Sequence, residues 1–171
     1  MKPDETPISR AEFRSVADRV ELTELLSRYH QTIDRNDFDA LDRVFARDAR
    51  CAYLGLELWG VEDVHLEGRE RIIEWLRAGL GQFEDTNPKH FFANHVFEID
   101  GDVAHTRSYM HGLTPHIGGV YEIEHHRTEE GWRIADLRLL HFSSKGKSSQ
   151  GKSSDPSHRA RVKQPSNHTG Q

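Results

Sequence analysis

Aspartate, histidine and tyrosine are the side chains that shuttle protons and steady developing negative charge near neutral pH. Asp34 ends a helical segment whose apolar stripe is Leu22, Leu25, Leu26, Tyr29 and Ile33. At about 100° per residue it falls at the edge of that stripe, one turn on from His30 and five residues after Tyr29. A carboxylate so placed, turned partly toward the core, can reach a histidine on a sheet packed against the helix. It would fix that histidine's tautomer and stabilise its protonated form. His90 is the candidate partner. Tyr29 and Tyr53 are candidate donors that polarise a carbonyl or hold an enolate oxygen.

The strand pattern gathers more side chains around His90. The segments "KHFFANHVFEI" and "VAHTRSYMHGL" flank "DGD", a strong hairpin signal. With Asp100-Gly101 as a two-residue turn, Ile99 opposes Asp102. His90 then opposes His111, Phe92 opposes Tyr109, and Asn94 opposes Arg107. Opposed residues share a face, with Cβ atoms roughly 4.5–5.5 Å apart. This register therefore predicts His90, His111, Asn94 and Tyr109 on one side of the sheet. His111 becomes a second proton carrier, and Asn94 and Tyr109 become substrate contacts. A β-bulge would shift the register by one and break the pairing. Each residue also has an ordinary structural reading. Asp34 can terminate its helix or cap the next, Tyr29 and Tyr53 can be core, and either histidine can be a satisfied core or surface group. His125 and His126 point to opposite faces of one strand and read as solvated.

These side chains need elements to position them. A helix is expected from about Arg14 to Asp34. A second begins at Asn36 or Asp37 and ends near Ala46, before a short strand at Cys51 and Tyr53. A third covers "GRERIIEWLRAGLGQF", with Ile72, Ile73, Leu76, Leu80 and Phe83 at helical spacing. "GGVYEIEHHRT" and "WRIADLRLLHF" flank "EEG" as a second hairpin. Helices first and antiparallel strands after them make the class α+β. A twisted sheet curls, so helices laid on one face leave a cone-shaped barrel with an interior pocket.

Composition bounds the rest. The 171 residues fit one domain, with a polar arm over residues 1–13, a folded body over 14–143 and a tail over 144–171. Hydrophobic content is only 35%, and the deficit sits in the Ser/Gly/Lys-rich tail, whose composition predicts disorder. From residue 143 onward six Lys or Arg face one Asp, a net +5, which leaves −10 on residues 1–142 of a chain whose total is −5. An acidic body argues against nucleic acid as a partner. With one cysteine, Cys51, neither an intrachain disulfide nor a cysteine-based zinc site can form. No apolar run reads as a signal peptide or a membrane span, so a cytoplasmic protein without a membrane partner is expected.

The segments "TIDRNDFDALDRVFARDA", "LEGRERIIEWL", "KHFFANHVFEIDGDVA" and "GGVYEIEHHRTEEGWRI" resemble the SnoaL-like branch of the nuclear transport factor two-like superfamily. That cone-shaped α+β fold includes scytalone dehydratase, bile-acid dehydratase, ketosteroid isomerase and polyketide cyclases. The resemblance covers roughly residues 14 to 142. It implies that Asp34 pairs with the catalytic histidine, that His90 is that histidine, and that Tyr53 contacts a substrate oxygen through water. His111 is the nearest match to a second histidine, and the spacing of Tyr29 and Asp34 is similar to the tyrosine and aspartate of bile-acid dehydratase. The serine and asparagine of scytalone dehydratase's next strand fall at Val120 and Glu122. The limonene epoxide hydrolase pattern of two aspartates and an arginine is not evident.

Together these readings predict a cofactor-independent lyase, of dehydratase type, or isomerase. Its substrate would be a hydrophobic, ring-containing carbonyl compound of polyketide, steroid or terpenoid type, and the chain would assemble as a homodimer or homotrimer. The alternatives are a noncatalytic binding or assembly module of the same fold, and a metalloenzyme using His90, His111 and Asp34 as a facial triad.

Overall fold

Ser9 starts the first helix earlier than the apolar stripe alone suggests. Its hydroxyl accepts from the Glu12 N–H at 3.2 Å, and its own N–H donates to Glu12 Oε2 at 2.8 Å, a reciprocal capping box. Helix α1 therefore runs Arg10–Asp34 rather than from Arg14, which shortens the expected N-terminal arm. This computed structural model describes residues 7–81, 89–113 and 118–142. The tail expected to be disordered lies outside the described residues.

The end of α1 is fixed by Asn36, which adopts a left-handed φ of 57°. That turn lets the Asp37 N–H donate to the Thr32 carbonyl at 3.0 Å and the Asn36 N–H to the Ile33 carbonyl at 3.1 Å, the bond pair of a Schellman motif. Asn36 thus closes α1 instead of opening the next helix, and Asp34 becomes its last residue. The expected second helix is a single short 3-10 segment, Phe38–Arg43. After it the chain is already extended, as strand β1, Phe45–Leu54.

Strand β2 is Val64–Glu67 and helix α2 is Arg69–Leu80. The two expected hairpins follow as β3 (His90–Asp100) with β4 (Val103–Gly112), and β5 (Gly118–Thr128) with β6 (Gly131–Phe142). The six strands form one mixed sheet in the order β2-β1-β6-β5-β4-β3. The β1–β6 pair is parallel, and the other four are antiparallel. Register shifts in β1–β6, β3–β4 and β5–β6 bend the sheet without closing it. The α+β class with helices on a curved, mainly antiparallel sheet is as the sequence predicts.

Helix α1 buries Asp18, Leu22, Leu25, Leu26, Tyr29, His30 and Ile33 against the inner face of that sheet. Its first half is tied down by Asp18. Arg127 Nη2 donates to Asp18 Oδ2 at 2.8 Å, Trp132 Nε1 donates to Oδ1 at 3.4 Å, and the Arg127 guanidinium lies 4.1 Å over the Trp132 ring. A carboxylate this buried needs charged and N–H donors to offset its lost hydration. No helix among the described residues is long and apolar enough to cross a membrane.

His126 is exposed beside Glu124, as expected, but His125 is fully buried and hydrogen-bonded through Nε2 to Thr106 Oγ1 at 2.9 Å. Solvation was the wrong expectation for it, because the inner face of β5 carries its odd-numbered residues. Burial pushes His125 down to about 3 and His30 down to about 4. Both therefore stay neutral in the folded chain at pH values where the unfolded chain, near 6.5, takes up protons. Their neutral burial is without penalty above about pH 6.5, and stability is lost as the pH falls below it, by about 1.4 kcal/mol per pH unit for each histidine. Urea unfolding at pH 7 and pH 5 should show this loss, with a shallower slope in His125→Gln. Equal stability at the two pH values would show that the histidines are not held neutral.

Candidate functional site

The last residue of α1 meets the first residue of β3. Asp34 Oδ1 accepts from His90 Nδ1–H at 2.6 Å, and Oδ2 accepts from the His90 backbone N–H at 3.0 Å. Both side chains are 13% exposed, so the pair is shielded yet reachable. Asp34 caps no helix; its carboxylate is spent on His90. Lys89 Nζ donates to the Asp34 carbonyl at 2.7 Å, so the strand entry is gripped from two sides. With Nδ1 protonated by this contact, His90 Nε2 is the nitrogen available to a ligand.

Tyr29 and Tyr53 share a hydrogen bond of 3.2 Å between their hydroxyls and are almost fully buried. Tyr121 adds a third buried hydroxyl, its ring edge to face with Tyr29 at 6.1 Å, and Trp75 of α2 stacks on Tyr53 at 4.6 Å. Burial first, then neighbouring hydroxyl and thiol groups, raises all three tyrosines well above their ordinary range, so they keep their protons and remain donors. His30 links the two groups. Its ring centre is 4.9 Å from Tyr29, 5.4 Å from Tyr121 and 5.8 Å from His90.

His111, Asn94 and Tyr109 do not join them. The hairpin turn is Gly101-Asp102, with Asp100 opposite Val103, so the register already differs from the predicted one. That difference alone shifts partners by two and preserves faces. A bulge then places Asn94 and His95 against the single residue Ser108, and beyond it Phe91, not His90, opposes His111. Asn94 takes the left-handed φ of 59° that such a bulge requires. The consequence is a change of parity. His90 and Phe92 face inward before the bulge, His95, Phe97 and Ile99 after it, while His111 and Tyr109 lie on the outer face and Asn94 at the exposed bulge. Asp34, His90 and His111 therefore cannot converge on one metal, and among the described residues no group of three His, Cys, Asp or Glu is arranged to hold one.

His95, Tyr121 and His30 are the inner residues that the sequence reading passed over. His95 Nδ1 lies 2.9 Å from Ser108 Oγ, and burial lowers the histidine. Val120 and Glu122, at the positions of the dehydratase's serine and asparagine, alternate with the buried Tyr121 and Ile123. The signal for Tyr121 was in the strand itself, where Tyr121 and Ile123 alternate with Glu122 and Glu124. The broad cleft of about 540 Å³ among Glu98, His105, Arg107, Glu122, Asp136 and Arg138 is on the outer face, away from the Asp34–His90 pair. The Asp34–His90 pair does not line this cleft.

Residues 14–138 match the SnoaL-like domain family. An uncharacterised protein of Mycobacterium bovis is 33% identical over 141 residues, 77% of this chain and 88% of that one. Among solved structures, a protein from Kribbella flavida superposes with a TM-score of 0.62 at 25% identity, covering 74% of this chain and 92% of that one. An NTF2-like protein with a cystatin-like fold from Novosphingobium aromaticivorans superposes with a TM-score of 0.63 over 86% of this chain and 95% of that one. At 21% identity that likeness speaks for the fold alone.

The bulge makes a direct prediction. Asn94→Gly should leave the melting temperature nearly unchanged, since glycine accepts a positive φ freely. Asn94→Val, which cannot, should cost about 1–2 kcal/mol. Equal melting temperatures for the two variants would mean that β3 does not carry this bulge in solution.

Proposed function

The chain belongs to the SnoaL-like domain family, within the nuclear transport factor two-like superfamily, and we propose that it is a cofactor-independent acid–base enzyme, a lyase of dehydratase type or an isomerase. Its substrate in this reading is a hydrophobic ring compound with a carbonyl, of polyketide, steroid or terpenoid type. The observation that carries the proposal is the pair of hydrogen bonds that Asp34 accepts from His90, which holds the imidazole in one tautomer with Nε2 as base.

In the reaction His90 Nε2 removes a proton from the carbon next to the carbonyl, and the C–H electron pair moves to the carbonyl oxygen. One hydroxyl of the bonded Tyr29–Tyr53 pair donates a hydrogen bond to that enolate, directly or through water, while the other supports it by donating to its partner. The enolate then reforms the carbonyl. In a dehydration the β-hydroxyl leaves with the proton that His90 has taken, as water; in an isomerisation that proton returns to a different carbon. Asp34 remains ionised and stabilises the imidazolium between the two steps. Base, oxyanion donors and shielding from solvent suffice for this chemistry.

The outer face carries the exposed apolar residues Tyr109, Leu140 and Phe142, which suits a homodimer or homotrimer.

Deuterium uptake next to the carbonyl of 2-tetralone in D2O, followed by NMR, tests the base. His90→Ala should lose roughly 10²–10⁴-fold in exchange rate. Asp34→Asn separates chemistry from structure. Its Oδ1 can still accept the His90 backbone N–H, but its amide donates to Nδ1 and drives the imidazole proton onto Nε2. The rate should fall by up to about 10⁴-fold, while the melting temperature stays close to that of the wild type. Wild-type exchange rates in both variants would sink the acid–base reading and leave a binding module.

A further inference from the structure

Helix α1 carries a second apolar stripe, and it points away from the core. Phe13, Val16 and Val20 are 68%, 63% and 54% exposed, on the side of the helix turned away from Asp18, Leu22, Leu25 and Leu26. Ile8, just before the Ser9 cap, is exposed as well. The spacing of three and four residues continues through Thr23 and Ser27. Thr23 Oγ1 donates to the Arg19 carbonyl at 2.7 Å, and Ser27 Oγ donates to the Thr23 carbonyl at 2.9 Å. Their donors are thus satisfied within the helix. Alternation of three and four along one face is the seam of a two-helix coiled coil, and a contiguous apolar face left in solvent marks a contact surface.

Composition and charge decide what fits there. Residues 143–171 contain no Ile, Leu, Met, Phe, Trp or Tyr, so the tail has little to bury on this stripe. A second α1 has what is needed. In an antiparallel pair centred between Phe13 and Val16, each Phe13 meets the partner's Val16, and each Val20 meets the partner's Ile8. Glu12 and Arg19 flank the stripe on one side. They are two turns apart, beyond each other's reach on their own helix. The same alignment sets each Glu12 against the partner's Arg19, whereas a slip of one heptad opposes Arg19 to its own copy. Charge therefore selects the register, and the helix dipoles favour the antiparallel direction. On the other flank a groove of about 880 Å³ runs between α1 and the β3–β4 turn, lined by Phe13, Ala17, Glu21 and Ile99. It widens the contact beyond the two helices.

We propose that the outward face of α1 is a homotypic docking surface, on which two copies of this chain pair their first helices antiparallel through Phe13, Val16 and Val20. An overlap of about 12 residues, roughly 18 Å of helix, is small beside a standard interface, so the contact is weak and depends on concentration. The stripe points away from the sheet, so this pairing adds to any association through the outer face and is independent of the acid–base chemistry.

Sedimentation equilibrium of the full chain tests the proposal. The mass of the wild type should rise with concentration, and Val16→Glu should halve the mass reached at high concentration. Its melting temperature should stay close to that of the wild type, because Val16 is exposed. Arg19→Glu and Glu12→Lys should each weaken the pairing at least about tenfold, since each sets like charges together. An equimolar mixture of these two variants should restore it, because every acid then meets a base again. Glu12 also closes the capping box, so the rescue carries more weight than the loss. A mass that Val16→Glu leaves unchanged overturns the proposal, and a mixture no heavier than its two components overturns the antiparallel register.

Discussion

One carboxylate taking two hydrogen bonds from one residue is the contact on which the site depends. Asp34 holds both the backbone and the ring of His90. His90 opens β3, and β3 is an edge strand with a neighbour on one side only. An edge strand's first residue would ordinarily fray. Here the end of a 25-residue helix holds it, and the bond that anchors the strand is made by the same carboxylate that sets the imidazole tautomer. Charge-assisted bonds of this kind are stronger than neutral ones. The grip also explains why α1 must stop where it does: the left-handed turn at Asn36 leaves Asp34 as the last helical residue, beside the strand entry.

The sheet carries the rest of the polar interior. Its inner face holds His90, His95, Ser108, Thr106, Tyr121 and His125, an expensive set of side chains to place against a helix. Most of the cost is offset locally, by Asp34 for His90, by Ser108 for His95 and by Thr106 for His125. The partners come from neighbouring strands or the end of α1, so the polar face is built as pairs. His30 differs. It comes from the helix and satisfies one nitrogen within its own turn; its Nε2, like Nδ1 of His125, has no partner among the described residues.

Two carboxylates seat α1 on the sheet in different ways. Asp18 is tied to Arg127 and Trp132 from β5 and β6, contacts that serve packing and orientation of the helix. Asp34, four turns further along, is tied to a histidine through Nδ1 and the backbone N–H, which leaves Nε2 outside this contact. The same device, a helix carboxylate received by donors on the sheet, meets a guanidinium and an indole at one end and an imidazole at the other. What separates them is the donor: a guanidinium stays protonated throughout the neutral range, whereas an imidazole can gain and lose its proton.

Much of this was legible in the chain. The apolar stripe of α1, the alternation in the strands and the turn residues between them gave the α+β class, because burial periodicity is a local property of sequence. The position of Asp34 at the edge of its stripe, with the family resemblance, pointed to His90, and the structure brings the two together. The placement of His111, Tyr109 and Asn94 was not legible in the same way. Parity along a strand holds only while one residue opposes one, and the insertion of Asn94 with His95 against Ser108 reverses it. A bulge is decided by how well the two strands and the inner residues pack after it forms, a sum over partners that no local pattern contains. Nor could the sequence separate His30 and His125 from the other histidines, since a nitrogen is orphaned or satisfied only by what the fold sets around it. The sequence by itself determined which elements form and which residues could do chemistry; tertiary packing decided which of those residues share the interior, because the register and the burial that bring them together are set by contacts between distant parts of the chain.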